Sequence, residues 1–178
     1  VGLVIGFQAG AVEFDPADNT PRPLALDGER AFSDAVWSMA EESAGNLWLG
    51  TPNGLLWRPP GEPGLRPVMV PGIRAVMDLK FDAAGTLWVA GPAALARLSE
   101  WDRGEPRFAA YLRTDSAAAA WFGRQLLFDS QGLMWSPRQR LDPSSGNADD
   151  FGLADGVPPD SVQVGASLAL SDGRLLFG

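Results

Sequence analysis

One short pattern recurs along this chain at a spacing that leaves few folds open. An acidic or Ser-rich turn closes on a glycine, and an apolar segment that usually carries tryptophan follows at once. Its copies are Glu42-Ser-Ala-Gly45-Asn-Leu-Trp48-Leu-Gly50, Asp82-Ala-Ala-Gly85-Thr-Leu-Trp88-Val-Ala90, Asp129-Ser-Gln-Gly132-Leu-Met-Trp135 and Ser171-Asp172-Gly173-Arg-Leu-Leu176-Phe-Gly178. A partial copy opens the chain, where Leu3-Val4-Ile5-Gly6 matches Leu47-Trp48-Leu49-Gly50. Successive turn glycines stand 40, 47 and 41 residues apart, and Gly6 lies 44 before Gly50. A period of roughly 40–50 residues is the length of one four-stranded propeller blade.

Each copy reads as a hairpin. The segments Val36-Trp-Ser-Met-Ala40, Val76-Met-Asp-Leu-Lys-Phe81, Gln125-Leu-Leu-Phe128 and Ala166-Ser-Leu-Ala-Leu170 precede the turn with rough apolar alternation, as a strand requires. Gly45, Gly85, Gly132 and Gly173 supply the positive φ of a tight turn. Trp48, Trp88 and Trp135 then begin the return strand with a ring large enough to fill the space between neighbouring sheets. Burying one such ring removes about 150–250 Å² from water, worth roughly 4–6 kcal/mol as an upper bound.

A second hairpin follows at Gly50-Thr-Pro-Asn-Gly54-Leu-Leu-Trp57 and Gly6-Phe-Gln-Ala-Gly10-Ala-Val-Glu-Phe14, with a fourth strand expected around 67–70 and 108–112. The third full copy, Trp135-Ser-Pro-Arg-Gln-Arg-Leu-Asp142, lacks most of that second hairpin and predicts a shortened blade. The four alanines at 117–120 suffice for a helical turn and are too few for a helix. The expected fold is all-β, a propeller of about four blades of four-stranded antiparallel sheets. It is read as one domain over 1–178 that begins and ends in the middle of a blade, and thus as part of a larger propeller.

Composition narrows the chemistry. The 178 residues carry 14 Lys+Arg against 22 Asp+Glu, a net charge of −8, with Lys80 the sole lysine. Such a surface repels phosphate backbones and anionic lipid, so neither nucleic acid nor a membrane surface is an expected partner. Cysteine and histidine are both absent, which removes disulfides, thiol nucleophiles, Cys/His zinc sites and imidazole bases. No uninterrupted apolar run reaches about 18 residues, so any membrane anchor of a parent protein lies outside this segment.

The run Val36-Trp-Ser-Met-Ala-Glu-Glu-Ser-Ala-Gly-Asn-Leu-Trp-Leu-Gly-Thr-Pro-Asn-Gly-Leu-Leu56 resembles the two-component regulator propeller repeat, in which a strand, an acidic turn, G-N-L-W-I-G-T and then G-L follow in order. Asp155-Gly156-Val157-Pro158 is similar to the D-G-L-P element before the last blade in that family, and the stretch from Gly165 to Gly178 resembles its terminal S-D-G-R-L-x-F-G-G. Ala94 departs from the family's glycine in the second full copy. The resemblance implies a periplasmic sensor propeller of a membrane-bound hybrid histidine kinase or diguanylate cyclase. It also implies a small-molecule or oligosaccharide signal or a protein partner, a homodimeric parent, no cofactor, and no chemistry within this segment.

Alternatives of other classes stay open at this stage: a secreted propeller hydrolase or lyase, or an interaction scaffold. A sialidase needs a tyrosine nucleophile beside an arginine cluster, and Tyr111 is the one tyrosine. Asp15-Pro-Ala-Asp18-Asn19 and Asn147-Ala-Asp149-Asp150 contain oxygen ligands for Ca²⁺ but not the series of a dedicated loop, so self-bonding polar turns are the expectation. Of the seven tryptophans, Trp101 and Trp121 fall outside the repeat positions and are the candidates for stacking on a ligand. Arg138 and Arg140, in the shortened hairpin, are the candidates for meeting a carboxylate.

Overall fold

The computed structural model describes residues 3–18, 20–27, 30–92, 94–112, 125–157 and 165–178. They form five successive sheets, antiparallel but for one short pair. The first holds β1 (Leu3–Phe7), β2 (Gly10–Asp15) and β3 (Thr20–Pro23), in that order. Two short strands follow, β4 (Ala25–Leu26) and β5 (Arg30–Ala31), and then β6 (Ser38–Glu41), β7 (Leu47–Thr51), β8 (Gly54–Arg58) and β9 (Gly64–Val68). The third sheet is β10 (Asp78–Phe81), β11 (Leu87–Gly91), β12 (Ala94–Asp102) and β13 (Glu105–Leu112). The fourth is β14 (Leu127–Phe128), β15 (Met134–Ser136), β16 (Gln139–Leu141) and β17 (Ala148–Asp150), and the fifth is β18 (Ser167–Ala169) with β19 (Leu175–Phe177).

The alternation of each return strand divides the core between its two neighbours. Along β7, Leu47 and Leu49 pack with Ala11, Leu24 and Phe32 towards the first sheet. Trp48, between them, packs with Val76, Leu79, Val89 and Phe108 of the third. One sheet further on, Trp88 and Ala90 pack with Leu126, Met134 and Leu141 of the fourth. Sheets buried on both faces by the next copy of themselves, with inner strands β6 and β10 side by side and likewise β14 and β18, make a β-propeller.

The acidic turn residue does more than turn the chain. Asp82 Oδ1 accepts the amides of Ala84 (3.0 Å) and Thr86 (2.9 Å), while its Oδ2 accepts the indole N–H of Trp88 at 2.9 Å. Asp129 repeats the arrangement with Gln131, Leu133 and, at 2.7 Å, Trp135. The glycine that closes each turn has φ near +80°, at 80° in Gly85 and 81° in Gly132, where a side chain would be strained. Gly50 has a different reason: a Cβ there would lie 2.7 Å from Val76 Cγ1, so the second and third sheets meet over a hydrogen atom.

The first full copy is the exception. Glu42 is one methylene longer and binds the Asn46 side chain, and Asn46 Oδ1 accepts the N–H of Trp57 at 2.8 Å. Trp48 Nε1 is left buried without a hydrogen-bond partner among the described residues. Its ring is held instead by stacking on Trp57 (5.9 Å, 22°) and edge contact with Phe108 (5.9 Å, 86°).

Two features differ from the sequence reading. The third full copy keeps its second hairpin, because Ser136 and Gln139 pair across a two-residue turn at Pro137-Arg138, so the blade shortens through its strands and still has four. The second sheet is also wider than expected: β4 pairs parallel to β9 and antiparallel to β5, giving six strands. Burial of Leu24 and Phe32 on either side of these strands holds that link against the sheet. The alanines at 117–120 lie outside the described residues.

The carboxylate–indole bond predicts two opposite effects. Asp82→Ala orphans the buried Trp88 N–H and should lower unfolding stability by about 1–3 kcal/mol. Glu42→Asp shortens the side chain to the length that reaches an indole six residues on, and should raise stability by about 0.5–1.5 kcal/mol. Denaturant unfolding followed by tryptophan fluorescence measures both; an unchanged midpoint for Asp82→Ala would refute the role given to the turn.

Candidate functional site

The inner strands converge on a pocket of about 570 Å³ at the axis of the sheets. Every sheet contributes: Gln8 beyond β1, Trp37 to Met39 at β6, Met77, Asp78 and Lys80 at β10, Gln125 before β14, and Gly165 with Ser167 at β18. Ser38, Asp78 and Gln125 each stand seven residues before the turn glycine of their own copy. In these three copies the repeat therefore delivers a polar side chain to the same place, whereas the fourth has Ala166 at that offset.

Asp78 is the most constrained of them. Its Oδ1 accepts the amide of Leu79 at 2.9 Å and its Oδ2 accepts that of Leu126 at 2.8 Å, which ties the third sheet to the start of the fourth. Lys80, two residues along on the same face of β10, brings Nζ to 3.7 Å from Oδ1. Burial raises the carboxyl above its usual 3.8, and the lysine charge and the two amides oppose that shift without cancelling it. Beside this polar wall, Trp37 is 44% exposed and Met39 40%, an apolar surface facing open space.

The described residues among those singled out in the sequence fall elsewhere. Trp101 is half-exposed on β12 but leans on Trp57 (5.5 Å) and Trp48 (6.1 Å), forming the outer end of the aromatic stack between the second and third sheets. Trp121 lies outside the described residues. Arg140 pairs with Asp149 at 2.5 Å and sits 5.6 Å over the ring of Trp135. Arg138 accepts the Phe151 amide at its carbonyl, in the same outer strands. Trp48 and Trp88 are fully buried and Trp135 partly so.

The polar turns bond to themselves. Asp15 and Asp18 accept the amides of Ala17 and Thr20, and Asp150 accepts from Gln139. Among the described residues there is no cluster of three or more metal-ligating side chains. Tyr111 has its hydroxyl donated to the Pro143 carbonyl at 2.8 Å and its ring against Trp88, and burial raises its pKa, so it is placed as a packing residue. The sequence signal for the axial pocket is the polar residue seven positions before three of the four turn glycines. Trp37, next to that offset, went unmarked because it precedes the repeat's own tryptophan.

Asp78 carries a pH signature. A carboxyl whose folded pKa lies above the unfolded value binds protons more tightly when folded, so its stabilising contribution is full below about 3.8 and is lost as pH rises through the raised value. The stability of the wild type relative to Asp78→Asn should therefore grow as pH falls from neutrality into the range just above 3.8. Denaturant midpoints of the two proteins across that range measure it, and parallel curves would contradict the assignment.

Comparison with known proteins agrees with this architecture. Residues 32–53 match the family model described as two component regulator propeller. The chain is similar in structure to the extracellular domain of a hybrid two component system from B. thetaiotaomicron, with a TM-score of 0.78 at 18% identity over 99% of this chain and 25% of that one. It is similar to virginiamycin B lyase from Staphylococcus aureus with quinupristin, at 0.62 and 11% over 96% and 62% of the two chains. A third likeness is to YCF48 bound to D1 peptide, at 0.58 and 12% over 88% and 52%. The chain thus spans a quarter of the first of these proteins and between half and two thirds of the others. No curated protein matches it. At these identities the likeness is one of fold, and the matched repeat specifies it further: this chain is a β-propeller segment that carries a two component regulator propeller repeat at residues 32–53.

Proposed function

We propose that this segment is the ligand-sensing propeller of a transmembrane signalling protein, held on the periplasmic side of the membrane, with no chemistry of its own. The observation that carries the proposal is the axial pocket. Its wall combines a desolvated carboxylate, an amide side chain and an open tryptophan drawn from at or just before three different inner strands. A pocket of about 570 Å³ falls in the usual range for small molecules, and a few polar groups on an apolar wall are the usual means of orienting one.

The signalling part of the reading is supported by the repeat match and by the likeness in fold to a two component system's extracellular domain. Binding at the axis touches several blades at once, so a ligand that fits one inter-blade arrangement better than another shifts the population between them. In a dimeric parent that shift is passed to a histidine kinase or diguanylate cyclase on the other side of the membrane. The likeness to a lyase favours a second reading, a propeller enzyme. That reading requires turnover of a bound compound.

A compound that binds the axis should raise the melting temperature in proportion to the logarithm of its concentration above Kd. Trp37→Ala, a substitution at an exposed side chain, should abolish that rise while leaving the ligand-free protein within about 0.5 kcal/mol of the wild type. Thermal shifts against a panel of sugars, amino acids and organic acids make the measurement. A rise that survives Trp37→Ala moves the site off the axis, and conversion of the compound during the assay favours the enzyme.

A further inference from the structure

We infer that the axial pocket takes a free α-amino acid with a large apolar side chain, its ammonium on Asp78, its carboxylate on Lys80 and its side chain against Trp37 and Met39. The inference rests on the reading of this pocket as the sensor site and names the class of signal. Its basis is the charge content of the wall. Lys80 is the single lysine of an acidic chain, and among the described residues Asp78 and Lys80 are the only charged ones that line the pocket.

The pair they form is loose. At 3.7 Å the Nζ–Oδ1 distance exceeds the 2.7–3.2 Å typical of a hydrogen bond, and the lysine side chain is 39% exposed, so solvent screens most of their attraction. Both carboxylate oxygens of Asp78 already accept a backbone amide, yet a carboxylate has about four acceptor positions, so lone pairs remain for a further donor. Burial works against the carboxylate charge here, and a bound cation would relieve that cost.

A ligand that carries only a positive charge meets Lys80, and one that carries only a negative charge meets Asp78; each is repelled by half of the wall. A neutral polyol leaves the pair as it is and gains little from the charges. A zwitterion gives each member a better partner than it has now. Ser38 adds to this wall, since its Oγ is buried without a hydrogen-bond partner among the described residues, and turning it towards a ligand carboxylate costs it no existing bond. Trp37 and Met39 then offer an apolar platform of the size that a leucine, methionine or phenylalanine side chain covers.

Isothermal titration of the chain with L-leucine, L-methionine and L-phenylalanine tests the inference. Saturable binding is expected for at least one of them. It should weaken tenfold or more when the ammonium is blocked as the N-acetyl derivative, when the carboxylate is blocked as the methyl ester, and in Lys80→Met, a variant that removes a half-exposed charge and leaves the fold intact. Equal affinity for a blocked derivative, or no effect of Lys80→Met, overturns it. If all three amino acids fail up to 10 mM (roughly −2.7 kcal/mol) while maltose or xylobiose binds and is lost in Trp37→Ala, the ligand class is wrong and the axial sensor site stands. If neither set binds in a way that depends on Trp37, both readings fall together.

Discussion

The bond between a turn carboxylate and an indole six residues on is the constraint from which the rest follows. Asp82 and Asp129 each close a turn with one oxygen and fix a tryptophan with the other. The tryptophan is thereby held at one angle to its strand, facing the next sheet. A ring of that size at the junctions of the second sheet with the third and of the third with the fourth sets how far apart those sheets stand. Where the carboxylate is displaced by the longer Glu42, the chain needs a second tryptophan, an asparagine and an edge-on phenylalanine to hold Trp48 in the same position.

Fixing the turn also fixes what lies upstream of it. The inner strand pairs with the return strand residue by residue, Asp78 with Ala90 and Ser38 with Gly50, so a position counted back from the glycine always arrives at the axis. Apart from the amide bonds that Asp78 accepts, the fold makes little use of the side chains there. Positions that the scaffold constrains and positions left open for recognition are thus interleaved within one strand. Leu79 fills the inter-sheet core while Asp78 and Lys80, on either side of it, meet the pocket.

This division explains how much of the molecule was legible in the sequence. The glycines, the acidic turns and Trp48, Trp88 and Trp135 announce the propeller because one physical requirement repeats at one spacing. Strands β4 and β5 left no trace, since two-residue strands have no periodicity, and what holds them is the burial of Leu24 and Phe32 by distant residues. Trp101 was marked for a ligand because it breaks the repeat. Sequence spacing does not distinguish the inner end of a blade from the outer, and Trp101 lies on the long outer reach of β12, its ring tilted against Trp57. The third copy looked too short for its hairpin because the family's glycines are missing from it, yet Pro137-Arg138 makes the turn without them.

The axial carboxylate joins these two halves of the argument. Asp78 Oδ2 holds the amide of Leu126, a residue of the neighbouring blade that is itself buried against Trp88. One atom therefore faces the pocket and the junction between sheets at the same time. A donor that takes the remaining lone pairs and draws the carboxylate inward lengthens its bond to the Leu126 amide, and an orphaned buried amide is costly enough that the strand carrying it must follow. Leu126 packs in one buried cluster with Trp88, which is bound through its indole to the turn at Asp82. Occupancy at the axis is in this way mechanically continuous with the turn that defines the blade. Should the axis hold the ligand proposed above, no hinge is needed to report it, since Asp78 is also one of the bonds between the sheets.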